Sequence, residues 1–328
     1  MNRRPTQNSE ANRLIPRFAA LVVLAAVLVW QASPAVALVV GILFAFAIPH
    51  PFPHKNHTLT RRLLQICVVL LGFGMDLPVV LRLGWQGSFF AVTTIAATLG
   101  VGWWLGRRMS LGDRTTTLIA SGTAICGGSA IAAVSSVIGA TGAEIAVSIG
   151  VVFILNAAAL TVFPFLGHVL GLSQEQFGLW AGVAIHDISS VVGAGISYGH
   201  EALATATAVK LSRTLWIAPL TLVMAFAAGR RLRDGTVSSA PKVKITIPWF
   251  IGFFLLASLV RSYVPVVPLW SPALLEIARR GMILTLFLIG TSLSLPAVKS
   301  VGWRTMVVGM ILWMFISTLS LAIVLFAG

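Results

Sequence analysis

Acidic residues are scarce in this chain: nine Asp and Glu among 328 residues, against 23 Lys and Arg. All charged residues together make up 10%, where a soluble domain carries roughly a quarter. That poverty excludes a soluble enzyme of Rossmann or barrel type, and the apolar excess excludes a disordered chain. Cysteine is as scarce. Cys67 and Cys126 both lie inside apolar stretches, which argues against a disulfide and excludes a secreted disulfide scaffold. No ligand spacing suits zinc or haem, and no phosphate loop is present. Neither metal nor cofactor is expected.

What is abundant is apolar: 57% of residues are hydrophobic and the mean hydropathy is +0.94. Long apolar runs fit a lipid bilayer, whose core takes about 20 residues of helix. Eleven stretches qualify: 17–31, 35–49, 63–83, 88–106, 115–140, 143–167, 176–199, 202–228, 246–264, 273–296 and 302–327. The expected architecture is an all-α polytopic membrane protein, with a tail over 1–16 and one transmembrane domain over 17–328. Pro49, Pro51 and Pro53 stop the second span. Arg3, Arg4, Arg13 and Arg17 before the first run, with Ala35-Val36-Ala37 after it, also fit a cleaved signal peptide. A second span that follows at once favours a retained helix.

The +14 excess is first an orientation signal, not a nucleic-acid footprint. With the N-terminus cytoplasmic, 17 of the 23 positive residues fall on the cytoplasmic side. Arg82, Arg261, Arg279 and Arg280 fall outside, and Lys210 and Arg213 remain inside a span. The split supports a cytoplasmic N-terminus and an outside C-terminus. The split also argues that 176–199 crosses, because a re-entrant segment there would move the five positives of the 230–244 loop outside.

Residues 70–85 resemble residues 288–303, with six of sixteen positions identical, including Leu77-Pro78 against Leu295-Pro296 and Gly84-Trp85 against Gly302-Trp303. The copies fall in the third and tenth spans, which run in opposite directions. That is the mark of an inverted repeat, common in secondary transporters. A shared helix-end turn is the simpler alternative.

Four spans carry polar or flexible interruptions, which lipid tolerates only where protein or a cavity satisfies them. In the fifth, Gly127-Gly128 breaks a helix between Thr123 and Ser129. A half-helix starting near Ser129 presents free amides to an anion; close helix packing by small residues is the alternative. Asn156 in the sixth span suits an interhelical hydrogen bond or a ligand contact. His186-Asp187 in the seventh pairs a group that titrates near neutral pH with the one acid at mid-span, which suits a proton relay; a structural pair closing a polar network is the alternative. Lys210 and Arg213 in the eighth share a helix face. One mid-span acid cannot neutralise both, so a cation is left for an anionic substrate; snorkelling is the alternative. All these positions fall near mid-depth.

The segments Ser121-Gly-Thr-Ala-Ile-Cys-Gly-Gly-Ser-Ala-Ile-Ala132, Ala184-Ile-His-Asp187 and Val209-Lys-Leu-Ser-Arg-Thr214 resemble the YeiH-like family of bacterial inner-membrane proteins, described as sulfate exporters. The resemblance covers nearly the whole chain from about residue 20. It implies a place beside the cation–proton antiporters and bile-acid symporters, and a core of crossed, broken helices moving against a panel. One departure stands out: the fifth-span break holds glycines and no carboxylate, which favours an anion over a cation.

The expectation is a secondary transporter of a small anion, sulfate or a sulfonate, in the inner membrane. Lys210 and Arg213 supply charge. Thr123, Gly127, Gly128, Ser129 and Asn156 line the substrate. His186 and Asp187 couple or gate, with Asp187 pairing a cation when the site is empty. A proton or sodium is the coupling ion, and a homodimer is compatible. Two alternatives stand: a cation–proton antiporter with Asp187 as carrier, and an intramembrane enzyme, which lacks a nucleophile motif.

Overall fold

The computed structural model describes residues 22, 33–47, 56–233, 248–292 and 301–327. The expected 1–16 tail, most of the expected first span, the Pro49–Pro53 stop, residues 234–247 and residues 293–300 of the second repeat copy lie outside them. Among the described residues there are thirteen α-helices and no strand. They are α1 (Pro34–Ala47), α2 (Asn56–Gly72), α3 (Leu77–Arg108), α4 (Asp113–Ala124), α5 (Gly128–Ile138), α6 (Gly142–Val169), α7 (Gln174–Ala184), α8 (Ile188–Tyr198), α9 (His200–Leu215), α10 (Ile217–Arg233), α11 (Trp249–Tyr263), α12 (Val267–Ser292) and α13 (Trp303–Ala327). Residues 77–108, 142–169, 200–227 and 303–326 are long and apolar enough to cross a membrane singly. The chain is an all-helical, multi-pass membrane protein.

Helix ends follow local chemistry. Thr141 and Glu144 form a capping box that starts α6, with Glu144 Oε2 accepting from the Thr141 amide at 2.7 Å. Ser173 and Gln176 do the same for α7. The expected third span, 63–83, does not run through. It ends at Gly72, and α3 begins at Leu77-Pro78, since proline suits a first helical turn and not an interior. Ser262 Oγ accepts from the Leu77 amide at 2.7 Å, and Arg261 pairs with Asp76 at 3.8 Å, which pins the turn. Leu77-Pro78 therefore opens a helix instead of closing one. The helices carrying the two repeat copies are antiparallel: Gly281 lies against Cys67, and Leu275 against Gly74.

The larger revision concerns 115–140 and 176–199. Each contains the expected mid-depth break, but neither crosses. In the second, Gln174 Oε1 at the entry accepts from the Glu201 amide at 2.9 Å. Tyr198, ending α8, stacks on Phe177 near the start of α7, with centroids 3.8 Å apart, and its hydroxyl donates to the Leu172 carbonyl at 2.6 Å. A straight span would put those ends more than about 30 Å apart. Helices α7 and α8 are thus a re-entrant hairpin. Helices α4 and α5 form another: Gly122 on one arm packs on Ile131 of the other, and Arg114 at its entry lies in electrostatic reach of Glu144 beyond its exit. Each arm, eleven or twelve residues, is about 16–18 Å long, which is half of a bilayer core.

Helix α6 joins the two hairpins across the membrane, so they enter from opposite faces and their tips meet. A second inverted repeat follows. Helices α5 and α8 are equal in length and sixty positions apart. Gly122, Ala124, Ile125 and Ser129 match Gly182, Ala184, Ile185 and Ser189 at the same offset. The unit α4–α5–α6 is thus matched by α7–α8–α9–α10. Two re-entries cancel in the side count: no Lys or Arg lies in 139–142 or 168–175, so the charge split leaves the hairpins unseen.

Labelling with a membrane-impermeant thiol reagent tests the hairpins. In a background lacking Cys67 and Cys126, Glu175→Cys and Glu201→Cys should react from one side, and Arg114→Cys and Ala143→Cys from the other. Opposite-side labelling within either pair rejects the re-entrant reading of that pair.

Candidate functional site

The site lies where the hairpin tips touch. At the first tip the backbone turns through Ile125, Cys126 and Gly127. Gly127 has φ +65 and ψ −127, a conformation nearly closed to residues with a side chain. A Cβ there would lie 3.1 Å from Val152 Cγ1 and about 3.5 Å from the Cβ atoms of His186 and Asp187. Glycine is therefore required twice, by the turn and by the close approach of the second tip.

The last carbonyls of α4 cannot find helical partners, and lipid offers none. Arg213 and Lys210, both 0% exposed, fill that role. Arg213 donates to the Ala124 carbonyl and, at 2.9 Å, to Thr94 Oγ1 on α3. Lys210 Nζ donates to the Ile125 carbonyl at 3.2 Å. Their i, i+3 spacing on α9 lets both heads reach one helix end, whose dipole is negative. Snorkelling does not describe either residue.

At the second tip the breaks are satisfied in the opposite sense. Asp187 caps α8: its carboxylate accepts from the Ser190 amide at 2.7 Å, Ser189 Oγ at 2.6 Å and Ser190 Oγ at 3.2 Å. Asn156 on α6 donates to Asp187 at 2.5 Å and accepts from the His186 amide at 3.1 Å. Asn156 therefore makes the interhelical hydrogen bonds anticipated for it. The expected pairing of Asp187 with a cation in the empty site is not seen. Among the described residues the ion pairs are Arg261–Asp76 and Arg280–Glu276, both away from the tips. Asp187 already has four donors, and the cations are engaged by the other hairpin's carbonyls.

The imidazole of His186 is fully buried, and neither ring nitrogen closes a hydrogen bond, although Lys210 and the Val152 carbonyl lie in reach. Thr123 Oγ1 is buried and unpartnered as well. Helix α5 has no side-chain cap at its N-terminus. A Cβ on Gly128 would meet open space, and Ser129 is exposed. Thr123, Gly127, Gly128, Asn156, His186, Asp187, Lys210 and Arg213 are thus drawn to the two tips. Ser129 sits at their open edge. Sequence reasoning missed Thr94, Ser189 and Ser190. Ser189 and Ser190 follow an N-cap Asp and were legible as such; Thr94 looks like its neighbours Thr93 and Thr98.

Fold and site together define a polytopic helical membrane protein with two opposed re-entrant hairpins and a buried polar centre. The chain belongs to the family described as conserved hypothetical protein 698, whose model matches residues 6–309. A UPF0324 membrane protein of Bacteroides thetaiotaomicron is 45% identical over 90% of this chain and 88% of its own length. One from Bdellovibrio bacteriovorus is 44% identical, covering 89% of each. One from Shewanella oneidensis is 39% identical over 98% of this chain and 97% of its own. No solved structure matches. The YeiH-like resemblance holds across the chain.

Gly127→Ala should cost about 1–3 kcal/mol from backbone strain alone, with the Val152 contact adding to it. A thermal melt in detergent should show a marked drop, whereas Gly139→Ala, also at positive φ but in open space, should cost less. Equal melting of the two variants would contradict the close approach of the tips.

Proposed function

We propose that this protein is a secondary transporter of a small anion, with sulfate or a sulfonate as the candidate substrate, working by alternating access. The observation that carries the reading is the charge inventory of the buried centre. Lys210 and Arg213 are fully buried, the acid nearest them is saturated by neutral donors, and their partners are uncharged carbonyls and a threonine. A centre with net positive charge in a low-dielectric setting favours an anion. The sixty-residue repeat supports the same view. Asp187 puts a carboxylate on the N-terminus of α8, and the equivalent Gly127 leaves the N-terminus of α5 without one. An anion from solution would occupy the matching place, held by the amides of Gly128 and Ser129 and by Thr123, with Lys210 and Arg213 in electrostatic support. His186 would carry a coupling proton.

A cation–proton antiporter would need Asp187 free to exchange ligands. Its four hydrogen bonds and its cap on α8 make it a fixed part of the backbone instead. An intramembrane enzyme would need a base against a nucleophile, and neither nitrogen of His186 reaches a serine. The family resemblance and the charge count support a bacterial inner-membrane location with the N-terminus in the cytoplasm.

Flux into proteoliposomes tests the reading. Wild-type protein should move labelled sulfate or taurine, and Arg213→Ala should reduce flux at least about a hundredfold, the order expected for losing a buried charge contact. His186→Gln should retain exchange and lose its dependence on a pH gradient. Wild-type-like flux in Arg213→Ala, or sodium-driven proton flux without anion, would refute the assignment.

A further inference from the structure

The two hairpins are related by the repeat but are not held alike. The second is clamped over its entry half. His168 stacks on Tyr198 at 4.4 Å, Tyr198 on Phe177 at 3.8 Å, Phe177 meets Trp180 edge-on, and Trp180 stacks on Phe163 at 4.3 Å. Trp180 Nε1 also donates to the Ser317 carbonyl at 2.9 Å, which ties α7 to α13. Helix α8 is buried at seven consecutive positions, 189–195.

The first hairpin has no aromatic residue anywhere in 113–141. Its returning arm α5 is built of Gly, Ser, Ala, Val and Ile, and Ser129, Ala132 and Ser136 form one exposed stripe among the described residues. Few large contacts and an open face make a segment cheap to displace. The strong polar contacts of this hairpin to the rest of the molecule gather at its tip, where Arg213 and Lys210 hold Ala124 and Ile125 and Thr94 steadies the guanidinium.

We propose that α5 is the moving arm of the transport site and that Thr94, Arg213 and Lys210 form its latch, with α7–α8 as the fixed wall. This rests on the anion reading for its trigger. An anion arriving at the α5 N-terminus competes with the Ala124 and Ile125 carbonyls for the two cations. As the cations turn to the anion, the carbonyl end of α4 loses its partners, and the tip of the hairpin is released. Occupancy and opening are then one event, since the same donors serve either the closed tip or the solute. Thr94 is a positioning residue in this scheme and makes no contact with solute.

Hydrogen–deuterium exchange on the full chain in nanodiscs separates the two arms without a transport assay. Amides of 128–138 should exchange at least about tenfold faster than those of 188–198 in the resting protein. Thr94→Val, which removes one contact of the latch, should raise exchange across 122–138 and leave 188–198 unchanged. Arg213→Lys, which keeps the charge and loses the fork, should do so more strongly. Equal protection of the two arms, or variants that loosen both alike, would overturn the proposal. Added sulfate should act on wild type as the variants do. If the variants behave as stated and sulfate has no effect while taurine or another anion does, the latch stands and sulfate is the wrong solute. If no anion acts and none is transported, the anion reading fails on its own.

Discussion

Two backbone breaks at mid-depth govern this structure. A helix that stops inside a membrane exposes amides on one side of the break and carbonyls on the other, and lipid offers neither a partner. The chain meets this cost with charge of matching sign. Arg213 and Lys210 lie on the carbonyl end of α4, and the Asp187 carboxylate lies on the amide end of α8. The residues that are most expensive to bury are therefore those that make the breaks affordable. Two of the four free ends at the two tips are met by charge in this way, and Asn156 ties the loop of the second tip to α6. The amide end of α5 has no charged side chain upon it.

That inequality gives the centre its chemical character. A symmetric arrangement would place a carboxylate on each half-helix and balance the two cations. Glycine at 127 removes one carboxylate, and the close approach of the second tip needs that glycine for steric reasons as well. Packing and electrostatics thus select the same residue. The tips can touch because one lacks a side chain, and the place nearest the positive centre is left for something from outside.

Much of this was legible in the sequence. The mid-depth breaks at Gly127-Gly128 and His186-Asp187 and the shared face of Lys210 and Arg213 follow from helix period and the cost of polar groups in lipid. What the sequence concealed was direction. A crossing and a re-entry have the same composition, and the side count failed because the loops that change sides hold no Lys or Arg. One re-entry would have reversed the charge bias of the 230–244 loop; two restore it. The sixty-residue repeat was concealed for a related reason. Its matches near the tips are four small or aliphatic residues, with Gly139 and Gly199 matching at the two exits, since backbone geometry at those points restricts side-chain size but elsewhere lets the two hairpins diverge. Thr94 could not be singled out, because its role depends on a guanidinium that arrives from α9 through tertiary packing.

The divergence of the hairpins is itself informative. Had both been filled with aromatics, the tips would be braced from both faces and no local motion could open the centre. Had both been built from small residues, nothing would fix the geometry of the Asp187 cap. The stacked series from His168 to Phe163 supplies rigidity on one side, at about 0.5–1.5 kcal/mol for each aromatic pair beyond its buried area. On the other side the tip relies on hydrogen bonds to cations, which are strong but exchangeable, because a solute anion offers the same donors better acceptors than a carbonyl does. A rigid wall with a polar latch opposite confines motion to one arm, and it makes that motion answer to the charge of whatever enters.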